Sequence, residues 1–299
     1  MTVYLPIAGM PVDPFLIIAL GALVGAMSGL FGVGGGFILT PLLFFIGIPP
    51  GVAVSTQAAQ IVASSLSGAI AHWRRRTLDL RMGVYLLVGG LIGSSLGVQV
   101  YARLSAIGQV DLMVQLFYVV FLGLIGGMMF IESLAAIRRQ GPARRKRHTS
   151  VHRLPLKVRF RTSGLYISAI PPFAIGLLCG VLAAVMGVGG GFIMLPAMIY
   201  LLKMPTKVVV GTSLFQITFT AAFTTVMHAG TNQSVDVVLA MLLILGGVVG
   251  AQIGTRLGTS WRPEYMRMAL ASLVLLVCVK VALDITLPPT EPYSVEFTG

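Results

Sequence analysis

The sequence predicts an all-α polytopic membrane protein built from two inverted-topology repeats. Three observations predict this fold: an apolar composition, a glycine-rich phrase that occurs twice, and a charge pattern that reverses between the halves. The chain has 299 residues, of which 56% are hydrophobic and 10% charged, with a mean hydropathy of +0.93. Soluble domains carry about 25% charged residues, so a soluble fold could not cover this much apolar surface.

The apolar segments give the number of membrane segments. Two of them, 14–47 and 168–202, are too long for one helix, because 34 residues would span about 50 Å against a hydrocarbon layer of about 30 Å. Each contains the glycine phrase, so we expect two helical pieces joined at the glycines and 8–10 membrane segments in all. The remaining segments each predict one simple span: 52–72, 82–102, 110–136, 208–228, 236–256 and 264–284.

The two halves align with each other. FGVGGGFILTP at 31–41 returns as MGVGGGFIMLP at 186–196, an offset of 155 residues. After one inserted residue the match continues through Thr56 and Thr212, Gln60 and Gln216, and His72 and His228, and after a second through Asp79 and Asp236. Such an ordered series indicates an internal duplication. We therefore divide the chain into a first repeat (1–137), a basic linker (138–167), a second repeat (168–285) and a tail (286–299).

The distribution of lysine and arginine predicts that the repeats are inverted. The first basic residue is Arg74, so the N-terminus is expected outside, and the arginines of 73–81 place that loop in the cytoplasm. The basic 138–161 loop is also cytoplasmic, whereas 229–236 carries no basic residue and lies outside. Segment 52–72 then runs inward and its equivalent, 208–228, runs outward. We expect a multi-pass protein of the bacterial inner membrane with both termini extracytoplasmic.

The net charge of +12 comes largely from the central loop. Ten of the 21 basic residues lie between Arg138 and Arg161. The pattern is typical of a cytoplasmic loop that contacts anionic lipid headgroups, and we expect no nucleic acid as a partner. Cys179 and Cys278 lie in apolar segments, so no disulfide is expected. The sequence leaves open whether the protein is a homo-oligomer.

The glycine phrases are candidate anion sites. The helix that starts after each phrase presents free backbone N–H groups and the positive end of its dipole, which suits a small anion. The alternative is that the glycines only permit a tight turn and close helix packing. The positions concerned are Gly34, Gly35 and Gly36, with Gly189, Gly190 and Gly191.

The helix after each phrase carries neutral polar residues close to the membrane midplane. Gln60 and Gln216, each one helical turn from Thr56 or Thr212, predict a substrate site lined by neutral donors. The alternative is hydrogen bonding between helices, which is common for these residue types in membranes. His72 and His228 lie at opposite ends, where a gating or proton role competes with simple anchoring at the interface.

Several functions are excluded by what the sequence lacks. No lysine follows the glycine phrase, and the phrase does not open a βαβ unit, so it is not a nucleotide-binding loop. The motifs HExxH and GxxxxGK[ST] are absent, as is a cluster of cysteine, histidine and carboxylate residues. We therefore expect neither an enzyme nor a cofactor nor a metal site. No charged residue falls at a clear midplane position, so a carboxylate proton relay is not evident.

The doubled GxGGGF…P phrase, the Thr/Gln helix after each copy, the glycine-ridged next helix and the basic linker resemble the TauE/SafE family over residues 14–284. The resemblance implies a permease that exports sulfite or a related sulfur anion, with Ser213 joining the polar site residues above. Inverted repeats with broken helices are typical of secondary transporters that work by alternating access. An anion channel and a non-transporting scaffold or sensor are the alternatives. The second copy has Gly211 and Leu214-Phe215 in place of Ser55 and Ala58-Ala59, so the site is expected to be asymmetric.

Overall fold

The computed structural model describes residues 2–31, 35–108, 110–138, 156–160, 162–257 and 263–286. Gly34, residues 139–155 of the basic loop and the tail after Thr286 lie outside these ranges. Helices make up most of the described chain, which confirms the predicted all-α polytopic fold. They are α1 (Pro14–Phe31), α2 (Gly36–Phe45), α3 (Pro50–Arg74), α4 (Leu80–Ala106), α5 (Val110–Arg138), α6 (Ile170–Met186), α7 (Gly191–Pro196), α8 (Thr206–Thr231), α9 (Val237–Leu257) and α10 (Pro263–Thr286).

The outer surface is suited to lipid. By length and composition, four helical stretches within the described residues could cross a bilayer: Leu80–Ala106, Leu112–Ala135, Val208–Thr231 and Val237–Leu257. Exposed apolar side chains recur every four residues or so on α4 and α9, as they do on a helix face that contacts lipid. These side chains are Val84, Val88, Ile92, Leu96 and Val100 on α4, and Met241, Leu245, Val249, Ile253 and Leu257 on α9.

Both long apolar segments are broken at the glycine phrase, as the sequence predicts. α1 ends at Phe31 and α2 begins at Gly36, while α6 ends at Met186 and α7 begins at Gly191. Gly35 and its equivalent Gly190 both have φ of 72°, a left-handed conformation that favours glycine. α7 continues as one π-helical turn over Ala197–Leu201.

Glycines spaced four residues apart form ridges that pack the two halves together: Gly21, Gly25 and Gly29 on α1, Gly89, Gly93 and Gly97 on α4, Gly176 and Gly180 on α6, and Gly246, Gly250 and Gly254 on α9. α1 lies along α9, and α6 lies along α4, each pair running in the same direction. A Cβ atom on Gly25 would overlap the carbonyl group of Gly247, and one on Gly180 would overlap that of Gly90. Since glycine alone permits such an approach of backbones, each half packs its first helix tightly on a helix of the other half.

Equivalent helices of the two copies pack against each other in opposite directions. Gly68 of α3 faces Leu214 near the start of α8, while His72, further along α3, faces the still earlier Gly211. α5 and α10 are likewise antiparallel, since Gly123 faces Cys278 and Gly126 faces Val274. This antiparallel packing is the relation that inverted copies require. The direction of each copy relative to the membrane stays a prediction.

Two short β-hairpins precede the two bundles, and sequence reasoning did not predict them. β1 (Val3–Leu5) pairs with β2 (Met10–Val12), and β3 (Lys157–Phe160) pairs with β4 (Leu165–Ser168), both antiparallel. The second hairpin lies within and just beyond the segment predicted as linker. Leu5 and Phe160, 155 residues apart, are both fully buried, so the hairpins are equivalent parts of the duplicated architecture.

Candidate functional site

The helices that follow the two glycine phrases, α2 and α7, meet at their starts inside the protein. Gly36, at the start of α2, lies against the backbone of Gly187 and Val188 from the other half. The next residue of each phrase, Phe37 and Phe192, stack on each other with ring centroids 5.1 Å apart and an interplanar angle of 20°. Both rings are almost fully buried, so the contact between the starts of α2 and α7 is apolar and closed.

Gln60 is the most unusual polar residue in this region. Its side chain is 0% exposed, and both its amide oxygen and its amide nitrogen lack a hydrogen-bond partner. The amide lies against Gly247 of α9, the glycine that also receives Gly25 of α1. A buried amide without partners costs free energy, roughly 1–3 kcal/mol by mutational data. The described residues thus leave the hydrogen-bonding capacity of the Gln60 amide unused.

Further buried polar atoms without a partner come mainly from the first half. Among the described residues, six buried side-chain N or O atoms lack a partner, and five of them belong to Ser28, Gln57, Gln60 and Ser65. Ser28 adjoins Gly35, directly before α2. Sequence reasoning missed Ser28, Gln57 and Ser65. The signal was in the alignment of the halves, where Ala183, Ser213 and Ala221 stand at the equivalent positions.

The second half satisfies its equivalent glutamine. Gln216 Nε2 donates to Thr220 Oγ1 at 2.8 Å, and only the amide oxygen of Gln216 is left unpartnered. Its amide lies against Gly90 of α4, as that of Gln60 lies against Gly247. The apolar pair of the second copy, Leu214 and Phe215, packs against Gly68 and Gly83. The site is thus asymmetric, because most of the buried polar atoms without a hydrogen-bond partner belong to the first half.

The carbonyl groups exposed at the end of α6 are capped from the first half. The Tyr118 hydroxyl donates to Met186 O at 2.8 Å, and Gln57 Nε2 donates to Gly187 O. The Tyr118 hydroxyl also lies within reach of the side chains of Thr40 and Gln57. These bonds satisfy carbonyls that a helix end leaves without intrahelical partners, and they hold the second glycine turn against α3 and α5.

We expect Tyr118→Phe to lower the temperature of thermal unfolding by a few degrees. The variant leaves the buried Met186 carbonyl without its donor, which costs about 1–3 kcal/mol, and each kcal/mol corresponds to roughly 2–4 °C in a domain of similar size. The measurement is thermal unfolding of the detergent-purified protein. Tyr85→Phe is the control, because the Tyr85 hydroxyl makes no hydrogen bond within the described residues. Equal unfolding temperatures for the two variants would refute the capping role.

The predicted threonines bond to the backbone of the opposite half. Thr56 Oγ1 accepts from the Asp236 N–H at 2.9 Å, and Thr212 Oγ1 accepts from the Asp79 N–H at 3.1 Å. Both threonines are fully buried. Ser213 Oγ donates to Val210 O in its own helix. A substrate contact at these three residues stays a prediction, since each hydroxyl already has a structural partner.

The two histidines lie away from Gln60 and have partners of their own. His72 Nδ1 is 2.8 Å from Thr77 Oγ1 at the end of α3. The fully buried His228 bonds through Nε2 to Ala184 O at 2.9 Å and through Nδ1 to Asn232, and its ring meets the edge of Tyr101. Their gating or proton role stays a prediction. Within the described ranges, no three potential metal ligands come together.

Comparison with known proteins agrees with this architecture. The family model described as "Sulfite exporter TauE/SafE" matches residues 17–281. A "Probable membrane transporter protein YjnA" of Bacillus subtilis (strain 168) is 29% identical over 89% of this chain and 98% of its own length. A "Probable membrane transporter protein" of Xylella fastidiosa (strain 9a5c) is 32% identical over 80% of this chain and 82% of its own. No solved structure matches the chain significantly.

Proposed function

The chain belongs to the sulfite exporter TauE/SafE family, and from this premise we propose that it exports a small sulfur-containing anion such as sulfite or an organosulfonate. Members of the family are membrane transporters, so the prediction that the chain is not an enzyme is confirmed. Transport occurs by alternating access across the bacterial inner membrane, with both chain termini on the extracytoplasmic side.

The observation that carries the proposal is the unsatisfied amide of Gln60 in a fully buried position. Its amide group offers two N–H donors, and the hydroxyls of Ser28 and Ser65 offer one each. A sulfite or sulfonate group presents oxygens that accept hydrogen bonds, so it could accept from each of these donors. The start of α2 at Gly36, close to Ser28, adds backbone N–H groups and the positive end of a helix of ten residues.

The burial of the candidate site supports alternating access over an open channel. Gln57, Gln60, Ser65 and Gln216 are all 0% exposed. Among the described residues, these candidate side chains have no contact with solvent on either side in this conformation. Movement of one half relative to the other is then needed to admit and release a small anion, as in transporters whose site lies between inverted repeats.

We expect purified protein in proteoliposomes to transport sulfite or sulfoacetate with saturable kinetics and to show counter-transport. Gln60→Ala removes the unsatisfied amide and should abolish this flux. Gln216→Ala should reduce it less, because Gln216 already bonds to Thr220. The measurement is uptake of the anion into liposomes loaded with and without the same anion. Flux that does not saturate and lacks counter-transport would favour an anion channel. Unchanged flux in the double variant Gln60→Ala/Gln216→Ala would refute the site.

A further inference from the structure

The structure closes the site at two ends with equivalent contacts, and the first lies at the beginning of α3. Here the turn of the β1–β2 hairpin docks on Asp236, whose Oδ2 accepts from the Ile7 N–H at 2.9 Å and the Ala8 N–H at 3.4 Å. Asp236 Oδ1 accepts from the first turn of α9. The Asp236 carboxylate, 0% exposed, therefore ties a hairpin of the first half to a helix of the second.

The second closure, at the other end of α3, repeats these contacts with the halves exchanged. Asp79 Oδ2 accepts from Ser163 N at 2.9 Å and Ser163 Oγ at 2.6 Å, in the turn of the β3–β4 hairpin. Asp79 Oδ1 accepts from Met82 N at the start of α4. This carboxylate, 2% exposed, ties the hairpin of the second half to a helix of the first.

Each closure is reinforced by a contact that again crosses between the halves. Beside Asp236, Ser55 Oγ is 2.7 Å from Ser234 Oγ, and Thr56 accepts from the Asp236 N–H. Beside Asp79, Thr212 accepts from the Asp79 N–H, and Gly211 lies against Thr77. Between Thr56 and His72, α3 rises roughly 25 Å, so the closures lie at opposite ends of the molecule.

Burial of the hairpins explains why their docking matters for access. Leu5 and Phe160, the last residues of β1 and β3, are both 0% exposed and belong to two separate apolar core clusters. Withdrawing either hairpin would remove a large apolar side chain from its end of the molecule. It would also leave a buried carboxylate short of its donors, which is unfavourable without water. Solvent entry at that end and release of the hairpin are thus coupled.

We propose that Asp236 and Asp79 are positioning residues that latch the two hairpins as end gates, and that alternating access releases one latch at a time. This inference rests on the proposed transport function. The conformation in the structure has both latches closed and the site fully buried, which makes it an occluded state. Opening one end breaks the hairpin and cross-half bonds there, while the equivalent bonds keep the opposite end shut.

The test measures access to the site from each side of the membrane. The two cysteines of the sequence, Cys179 and Cys278, are replaced by alanine, and Ser65→Cys places a reporter thiol at a position that is 0% exposed. A membrane-impermeant maleimide is applied to right-side-out and inside-out vesicles. Asp236→Asn keeps an acceptor for the α9 N-terminus but replaces a carboxylate oxygen that binds the hairpin. Asp79→Asn likewise keeps an acceptor for the α4 N-terminus but replaces a carboxylate oxygen that binds the β3–β4 hairpin.

We expect Asp236→Asn to raise the labelling rate about tenfold or more from the side of the 229–236 loop only, and Asp79→Asn from the opposite side only. Tenfold corresponds to the loss of one hydrogen bond to a charged group. Asp13→Asn is the matched control, since Asp13 is an exposed carboxylate that accepts from Phe15 N at the start of α1. It should leave both rates unchanged. If either aspartate variant raised the labelling rate equally from both sides of the membrane, the proposal would be overturned, because a merely structural role would not distinguish the two sides. A folded variant with an unchanged labelling rate would overturn it as well.

A second experiment does not depend on the aspartate variants folding. Ser55→Cys combined with Ser234→Cys joins two positions whose hydroxyl oxygens are 2.7 Å apart. In the cysteine-free background, the oxidised pair should stop flux of the transported anion, and reductant should restore it. Full flux in the oxidised protein would overturn the gate. The labelling assay needs no substrate, so sided labelling without sulfite or sulfonate flux would refute the proposed function and leave the gates standing.

Discussion

Gln60→Met is expected to make the protein more stable and inactive at the same time. Methionine is close to glutamine in size, so it fills the same space while removing an amide whose two polar atoms are buried without partners. Removing them relieves a cost of about 1–3 kcal/mol, or roughly 2–4 °C in unfolding temperature for each kcal/mol in a domain of similar size. Flux should fall about a hundredfold or more, because two hydrogen bonds to a charged ligand are lost.

Gln216→Met supplies the matched comparison for this prediction. It removes the hydrogen bond to Thr220 together with one unpartnered oxygen, so its gain in stability should be smaller. Thermal unfolding in detergent, with and without sulfite or sulfoacetate, measures both effects. Ligand should raise the unfolding temperature of the unmodified protein and not that of Gln60→Met. A fall in stability of Gln60→Met without ligand would mean that the amide is satisfied in the folded protein.

The helical architecture could be predicted from the sequence because its determinants are local. The length of segment 14–47 and the glycines within it require a break, since a single helix would overshoot the bilayer. The left-handed backbone at Gly35 and Gly190 follows from the residue type. The spacing of Gly246, Gly250 and Gly254 predicts a packing face, and α9 uses that face against α1.

The β-hairpins and their latches could not be predicted in the same way. The strands of the first hairpin have three residues each, too few for a pattern of alternating burial to be recognised. Asp79 and Asp236 were visible as an equivalent pair, but their partners lie 84 and 229 residues away in sequence. A single sequence carries no direct record of such contacts. The threonines are a related case: the sequence predicts them as site residues, and the structure gives their hydroxyls backbone partners in the opposite half.

The asymmetry of the site could be predicted in part from the sequence. Ser28, Gln57 and Ser65 are buried in one copy, while Ala183, Ser213 and Ala221 replace them in the other. A duplicated architecture needs the shared residues for its fold. The positions that differ are free to make one copy polar, so mismatches between the copies are informative about binding. The extra polar residues of the first copy therefore favour a site that belongs mainly to α1, α2 and α3.

Gly25→Ala and its equivalent Gly180→Ala are expected to be among the most damaging substitutions of a single methyl group. An added Cβ would overlap the carbonyl group of Gly247 or Gly90, and these are backbone atoms that no rotamer change can move away. The helices of the two halves would have to separate along their length. Overpacking of this kind costs about 1–3 kcal/mol, and the rigidity of two backbones in contact places these sites at the upper end. Loss of flux should accompany the loss of stability.

Gly127→Ala separates this packing effect from the general effect of replacing glycine in a helix. Gly127 lies within α5, and a Cβ added there would meet no neighbouring atom of the described residues within 4 Å. The variant should be neutral or slightly more stable, since alanine is favoured over glycine in helices by up to about 1 kcal/mol. Thermal unfolding and proteoliposome flux of all three variants give the comparison. If Gly25→Ala unfolded at the same temperature as Gly127→Ala, the two halves would not be held together by contact between their glycine ridges.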